Sequence, residues 1–339
     1  MAAKPAGGES VTSLLPWQEE AWHRLQKARR QSRLAHALLL QGPEGTGRGD
    51  FARLLCQSLL CERPDGKGLP CGRCRACTLF LAGTHPDLRL VAPAEERKQI
   101  AVDQIRAVGE FLALKPQYGR AQCVLITPAD LLNENAANSL LKTLEEPSPD
   151  AFLVLLSRRP AALPATIRSR CQRLPLSLPE RRMALAWLEE RLSGEEEVPA
   201  EALLDLAGGA PLAALALAES GGVVRHLACL DDFERLLAGQ ADPLEVAAGW
   251  LKSGAKETLY WLYRWTGDML RLRLGGDASR LASPGLRKRL AALAARLDER
   301  MLFARLAQLN EAFRLVDGQI NEQLLLEDLL IAWRETCRP

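Results

Sequence analysis

Residues 36–49 read HALLLQGPEGTGRG, and the rest of the chain takes its meaning from them. His36-Ala-Leu-Leu-Leu-Gln41 is an apolar run short enough to be a buried strand. It passes directly into Gly42-Pro-Glu-Gly-Thr-Gly-Arg-Gly49 and then a helical stretch from about Asp50 to Leu60. Strand, glycine-rich turn and helix form the layout of a phosphate-binding βα unit. Upstream lies a polar, basic helix at roughly Trp17 to Ser32. Downstream, apolar runs at Leu88–Val91, Cys123–Ile126 and Phe152–Leu156 alternate with helical segments near Val102–Leu114 and Asn135–Glu145. That alternation predicts a parallel sheet covered by helices on both faces. The rhythm ends near Pro179, and no strand is predicted beyond it. Residues 180–220 read as short helices with a break at Gly208-Gly209 and a restart at Ala210-Pro211. From about 223 the helices lengthen, the last carrying Ile320, Leu324, Leu325, Leu329 and Trp333 at helical spacing. The expected organisation is an α/β domain over 1–179, a small helical domain over 180–222 and an all-α domain over 223–339.

A length of 339 residues suits two or three domains. Hydrophobic residues at 47% and charged residues at 25% are ordinary for a chain that buries a core. Lys and Arg number 44 against 42 Asp and Glu, a formal charge of +2, so any basic surface is local. The basic cluster Arg24, Lys27, Arg29, Arg30, Arg33 reads first as a solvated helix face. No apolar stretch is long enough to cross a bilayer; Leu206–Ala218 is short and holds Gly208, Gly209 and Pro211. The first sixteen residues lack a secretory apolar core. The expectation is a cytoplasmic protein without a membrane partner.

The glycine-rich turn has the spacing of a phosphate loop but not its chemistry. A working loop reads G-x-x-x-x-G-K-[ST], in which the Lys reaches the outer phosphates and the hydroxyl ligates Mg²⁺. Gly42, Gly45 and Gly47 supply the backbone cradle, but the Lys position is Arg48 and the hydroxyl position is Gly49. A guanidinium does not replace a compact ammonium under a phosphate. Asp50 adds a carboxylate at the helix N-terminus, where a phosphate would otherwise sit. An ATPase of this build also has acids at the end of a strand, whereas Val124-Leu-Ile126 runs into Thr127-Pro128-Ala129. The nearest acid, Asp130, is expected to lie where the chain turns away.

Four of the nine cysteines, Cys61, Cys71, Cys74 and Cys77, follow C-x9-C-x2-C-x2-C. Thiolates separated by two residues fit a tetrahedral Zn²⁺ site, and four of them leave no open position, so the role is structural. Binding on the order of 10–16 kcal/mol suffices to hold an insertion too small for its own core. His85, in His85-Pro86-Asp87, reads as a turn residue. Cys56, Cys123, Cys171, Cys229 and Cys337 are scattered, with no nucleophile arrangement around them. Tyr260, Trp261, Tyr263 and Trp265 share one helix and read as core or subunit contact rather than as a base-stacking platform.

The segments LAHALLLQGPEGTGRG, CGRCRAC, NAANSLLKTLEEP and LPATIRSRC occur in that order. Together they resemble the bacterial DNA polymerase III clamp loader, of the AAA+ class, over about residues 12–222. The resemblance implies an AAA+ (RecA-like) α/β domain, then a helical lid and an all-α collar. Within the family the motor subunits, gamma and tau, keep an intact phosphate loop (Walker A), an acidic strand end and a sensor Arg at the start of a lid helix. Here Arg48 and Gly49, Thr127 and Pro128, and Leu212 stand at those places, so the chain is similar to the delta-prime branch. The resemblance further implies that Arg170, in Ser169-Arg170-Cys171, reaches into the neighbouring subunit's ATP site as an arginine finger. Such a group accelerates phosphoryl transfer by roughly 10³–10⁵. The implied partners are gamma or tau, delta, the sliding clamp and primer-template DNA, with ATP bound by the neighbours. Two rivals are an ATP-hydrolysing motor of the same family and a zinc-dependent DNA-binding module on an inert α/β scaffold. Arg48, Gly49, Thr127 and Pro128 oppose the first, and the near-neutral charge opposes the second.

Overall fold

The computed structural model describes residues 13–94, 97–118, 121–192, 198–277, 281–316 and 320–336. Contacts divide the chain into two units, 1–183 and 184–339.

In the first unit, α1 (Glu19–Arg30) precedes β1 (Ala37–Gln41) and α2 (Arg48–Leu60); α3 (Arg75–Leu81) and β2 (Leu88–Val91) follow. Next come α4 (Val102–Ala113), β3 (Gln122–Ile126), α5 (Glu134–Glu145), β4 (Ala151–Ser157), α6 (Ala165–Arg170) and β5 (Gln172–Pro175). The strands form one sheet in the order β2-β3-β4-β1-β5, every neighbouring pair parallel. Side chains alternate between faces with the period of two that a strand imposes. Ala37, Leu39, Val124, Ile126, Leu153 and Leu155 pack on one face with Ile105 of α4, Leu140 of α5 and Ile167 of α6. Leu38, Leu40, Cys123, Leu125, Val154 and Leu156 pack on the other with Trp22 of α1, Phe51 and Leu55 of α2, and Phe80 of α3. The inner strands β1, β3 and β4 are buried on both sides, which is why they read as unbroken apolar runs, whereas β2, at one edge, leaves Arg89 and Leu90 exposed. The expected AAA+ type of α/β sheet is therefore the one adopted.

The sequence reading missed β5. Gln172-Arg-Leu-Pro175 lies at the sheet edge, where of its four residues only Leu174 is buried. Such a strand has no apolar run to announce it.

The second unit is helical. It takes in most of α7 (Arg181–Glu189), then α8 (Ala200–Leu206), α9 (Pro211–Glu219), α10 (Gly222–Leu237), α11 (Pro243–Ser253) and α12 (Ala255–Arg273). It closes with α13 (Arg287–Ala294), α14 (Glu299–Val316) and α15 (Glu322–Thr336). Trp261 and Trp265 of α12 are buried, as a core reading requires, whereas Tyr260 is 41% exposed. Trp265 meets the rings of His226, Phe233 and Trp250 at 5.2, 5.8 and 6.3 Å. The expected stripe on the last helix is corrected by one face position. Leu325, Leu326, Leu329, Leu330 and Trp333 are buried, but Leu324 is 60% exposed and Ile320 is also exposed. Cys56, Cys123, Cys171 and Cys229 are buried, as small core residues are; Cys337 lies outside the described residues.

One buried group makes this helical unit sensitive to acid. The Trp265 indole donates to His226 Nε2 at 3.2 Å, so that nitrogen must present its lone pair and the ring proton sits on Nδ1. Burial, with Arg264 and Arg289 adding to it, pushes the His226 pKa down to about 3. The unfolded chain takes up a proton near pH 6.5 and the folded chain does not, so stability falls as pH drops below 6.5. By pH 5 the loss is about 2 kcal/mol. Denaturant unfolding between pH 7.5 and 5 is expected to show this slope, and His226→Gln, which keeps an acceptor for Trp265, is expected to flatten it.

Candidate functional site

The C-terminal ends of β1, β3 and β4 converge on the loop that joins β1 to α2. This is the place where an open α/β sheet binds ligands. Gly45 and Gly47 adopt φ of +74° and +73°, which favours glycine, and Gly47 caps α2. A side chain is also excluded at Gly42, where a Cβ would stand 2.1 Å from the Leu176 carbonyl oxygen just past β5. The backbone cradle is therefore retained, and the loop's own arginine folds back onto a carbonyl of that loop. Arg48 is 9% exposed and turns inward. Its Nη1 donates to the Gly42 carbonyl, and its Nη2 lies 3.5 Å from Glu44 Oε1. Glu44 pairs in turn with Arg158, at the end of β4, at 2.8 Å. Burial pushes the Arg48 pKa below its ordinary value; Glu44 opposes that shift and Arg158 adds to it.

Two residues that sequence reasoning missed hold the loop from outside. The Trp17 indole donates to Thr46 O at 2.9 Å, and Gln18 Nε2 donates to Thr46 O at 3.0 Å and Gly47 O at 2.9 Å. They lie 28 or more residues upstream of the carbonyls they meet, too far for local spacing to signal. Asp130 lies in the 3-10 turn after β3, where the chain is expected to turn, but its side chain comes back to the strand ends. Its Oδ1 accepts the main-chain N–H of Arg158 at 3.0 Å, and its charge acts weakly on Arg48. The strand end thus retains one acid, and that acid is bonded to the backbone at the end of β4.

The four cysteines come together. All four Sγ atoms lie within 4.8 Å of one another, and Cys61 and Cys74 are 3.9 Å apart. Tetrahedral ligation at about 2.3 Å per sulfur places the sulfurs about 3.8 Å apart, so the set fits a metal. Cys61 ends α2 and Cys74 caps α3, while Gly72 (φ +70°) makes the turn between ligands. Backbone N–H groups already point at sulfur: Cys71 N to Cys61 Sγ and Cys74 N to Cys71 Sγ, both 3.3 Å, and Cys77 N to Cys74 Sγ, 3.4 Å. Hydrogen bonds led by the Arg73 N–H pull the Cys71 thiol down to about 6, whereas burial pushes Cys61 and Cys77 up. His85 is outside this set; it is buried, and its Nδ1 accepts the Asp87 N–H at 3.0 Å, a turn contact.

The intervening loop is anchored to α1 and α2. Trp22 Nε1 donates to Lys67 O at 3.0 Å and Ser58 Oγ to Gly68 O at 2.5 Å.

Arg170 ends α6, a short helix fixed by buried Ile167 and Cys171. Its Nη2 lies 2.5 Å from Glu145 Oε1 at the end of α5, and its Nη1 donates to Thr166 O at 3.1 Å. Its side chain is 36% exposed. Leu212 lies in the first turn of α9 and offers no charge there.

Residues 17–180 match the family described as DNA polymerase III, delta subunit, and residues 225–335 match its C-terminal family. The chain is 36% identical to DNA polymerase III subunit delta′ of Pseudomonas aeruginosa, over 97% of this chain and 100% of that protein. It is 34% identical to the Escherichia coli subunit delta′, over 96% of each. The chain belongs to the DNA polymerase III delta′ family. The clamp-loader resemblance carried by its motifs therefore holds, and the chain is a clamp-loader subunit of that polymerase. A more distant likeness, 29% identity to subunit tau of Bacillus subtilis, covers 72% of this chain and 40% of that protein.

The close approach at Gly42 has a measurable consequence. Gly42→Ala forces the loop away from Leu176 and is expected to destabilise the α/β unit by about 1–3 kcal/mol, read from the denaturant midpoint.

Proposed function

We propose that this delta′ chain hydrolyses no ATP itself and activates a neighbouring clamp-loader subunit through Arg170. One observation carries the reading: of the two arginines at issue, the Arg48 side chain is 10% exposed and donates to the Gly42 carbonyl of its own loop, while that of Arg170 is 36% exposed at the end of α6. Withdrawing Arg48 would leave the Gly42 carbonyl without its donor inside the loop. A partly exposed guanidinium instead keeps N–H donors open to solvent and to an incoming oxyanion, and its surface ion pair costs about 1 kcal/mol or less to rearrange. Arg170 can therefore be lent, and Arg48 cannot. A guanidinium placed in trans neutralises charge that develops on the transferring phosphoryl group.

The same reading takes residues 180–222 as a lid and 223–339 as a collar that joins gamma or tau and delta. The assembled complex would place the sliding clamp on primer-template DNA in the cytoplasm, using ATP bound by the neighbours. Among the described residues no single helix is long and apolar enough to cross a membrane. The four-cysteine site would hold a structural Zn²⁺, whose ligands Cys61, Cys71, Cys74 and Cys77 tie the end of α2 to the start of α3.

With magnesium and ATP, the isolated chain is expected to show no turnover above background. In the complex reconstituted with gamma or tau and delta, Arg170→Ala is expected to lower ATPase by 10-fold or more, leaving assembly on gel filtration intact. Brisk turnover by the isolated chain, or an unchanged rate in the variant complex, contradicts the proposal.

Elemental analysis is expected to give one zinc per chain. Cys71→Ser with Cys74→Ser should abolish it and lower the melting temperature of the α/β unit, whereas Cys229→Ser should leave the zinc content unchanged.

A further inference from the structure

A carboxylate at the C-terminal end of a helix opposes the helix dipole, which favours cations there. Glu145 occupies that position as the last residue of α5. Its compensation comes from another element. Glu145 Oε1 lies 2.5 Å from Arg170 Nη2, across from the end of α6, where a cation is the favoured charge. The carboxylate carrier is itself fixed, because Leu140 and Leu144 of α5 are buried in the core that also holds Ile167.

Arg170 is thus held at two points, by Glu145 Oε1 and by the Thr166 carbonyl. A guanidinium carries five N–H donors. One on Nη2 and one on Nη1 account for these contacts, which leaves three for an incoming oxyanion. Both partners can stay bound while the group meets a phosphoryl oxygen, so its long side chain has little rotamer freedom left to lose at that moment.

We propose that Glu145 is a positioning residue for Arg170, fixing the guanidinium in the orientation in which it acts on the neighbouring subunit's ATP. The inference rests on the trans role assigned to Arg170 above. Glu145 does not touch the phosphate; it acts through the arginine.

A double-mutant cycle on the reconstituted complex with gamma or tau, delta, clamp and primed DNA tests it. Glu145→Ala is expected to lower the ATPase kcat about threefold to tenfold with KM for ATP unchanged. Glu145→Gln, which keeps an oxygen acceptor, should recover part of the loss. In the Arg170→Ala background, Glu145→Ala should have no further effect. The melting temperature of each purified chain reports separately whether the fold is intact. An unchanged or raised kcat in Glu145→Ala, with Arg170→Ala still impaired, overturns the positioning role alone. So does an equal loss in both backgrounds, which marks a structural contribution independent of Arg170. Full activity in Arg170→Ala removes the trans role and this inference with it.

Discussion

The inward turn of Arg48 is the constraint on which the rest depends. A phosphate loop works by leaving backbone N–H groups and a cation facing an empty cradle, where an anion completes the charge balance. In this chain Glu44 supplies the negative charge from within the loop, the Gly42 carbonyl accepts from Arg48, and Arg158 joins the same carboxylate. Asp130, which accepts the main-chain N–H of Arg158, adds a second acid from the turn after β3. An incoming nucleotide would have to displace bonds that the protein already makes to itself, and its phosphates would meet two carboxylates. On the proposed reading, the geometry of the βα unit is kept while the electrostatic reason to bind triphosphate is lost.

The loop is also braced from behind, which ties it to the cysteine cluster. Trp17 and Gln18, just ahead of α1, grip the Thr46 and Gly47 carbonyls. One turn into the helix, Trp22 donates to Lys67 in the loop between Cys61 and Cys71. Ser58 of α2 holds Gly68 in the same loop, and Arg29 of α1 donates to Ser58 Oγ at 3.0 Å. Helix α1 and the two residues just ahead of it therefore lie against both the β1–α2 loop and the loop between Cys61 and Cys71. The cysteine insertion is not an appendage. Its spacer is part of the packing of α1 on α2, which accounts for the close fit at Gly68, where a Cβ would meet the Gln26 side chain at 2.2 Å.

Much of this was legible in the chain. The three central strands, β1, β3 and β4, declare themselves as apolar runs because helices bury both sides of each, and the cysteine spacing identified its own cluster, because cysteines separated by two residues need only one tight turn to converge. What escaped did so for physical reasons. β5 pairs only with β1 and buries little besides Leu174, so it carries no hydrophobic signal. The turn at Asp130 was read, but not the return of its carboxylate to the main-chain amide of Arg158, because the geometry of the 3-10 turn after β3 is not a matter of spacing. The buried face of α15 was misjudged by one position because its sequence, Leu324-Leu325-Leu326, puts leucine on both the buried and the exposed side.

The two arginines also show why a residue's type says less than the medium around it. Arg48 and Arg170 each meet one carboxylate and one carbonyl. At Arg48 the side chain itself is shielded, 10% exposed, and donates to the Gly42 carbonyl, although its carboxylate partner Glu44 is 63% exposed. What holds it is its burial in the loop more than the ion pair. At Arg170 both partners are reached by solvent, so attraction and desolvation nearly cancel and the pair contributes direction more than energy. On the proposed reading, a loop that folds its cation inward and a helix end that keeps its cation at the surface are two results of one difference in burial. Such a chain would serve an adjacent subunit only if that surface cation were aimed and not merely present.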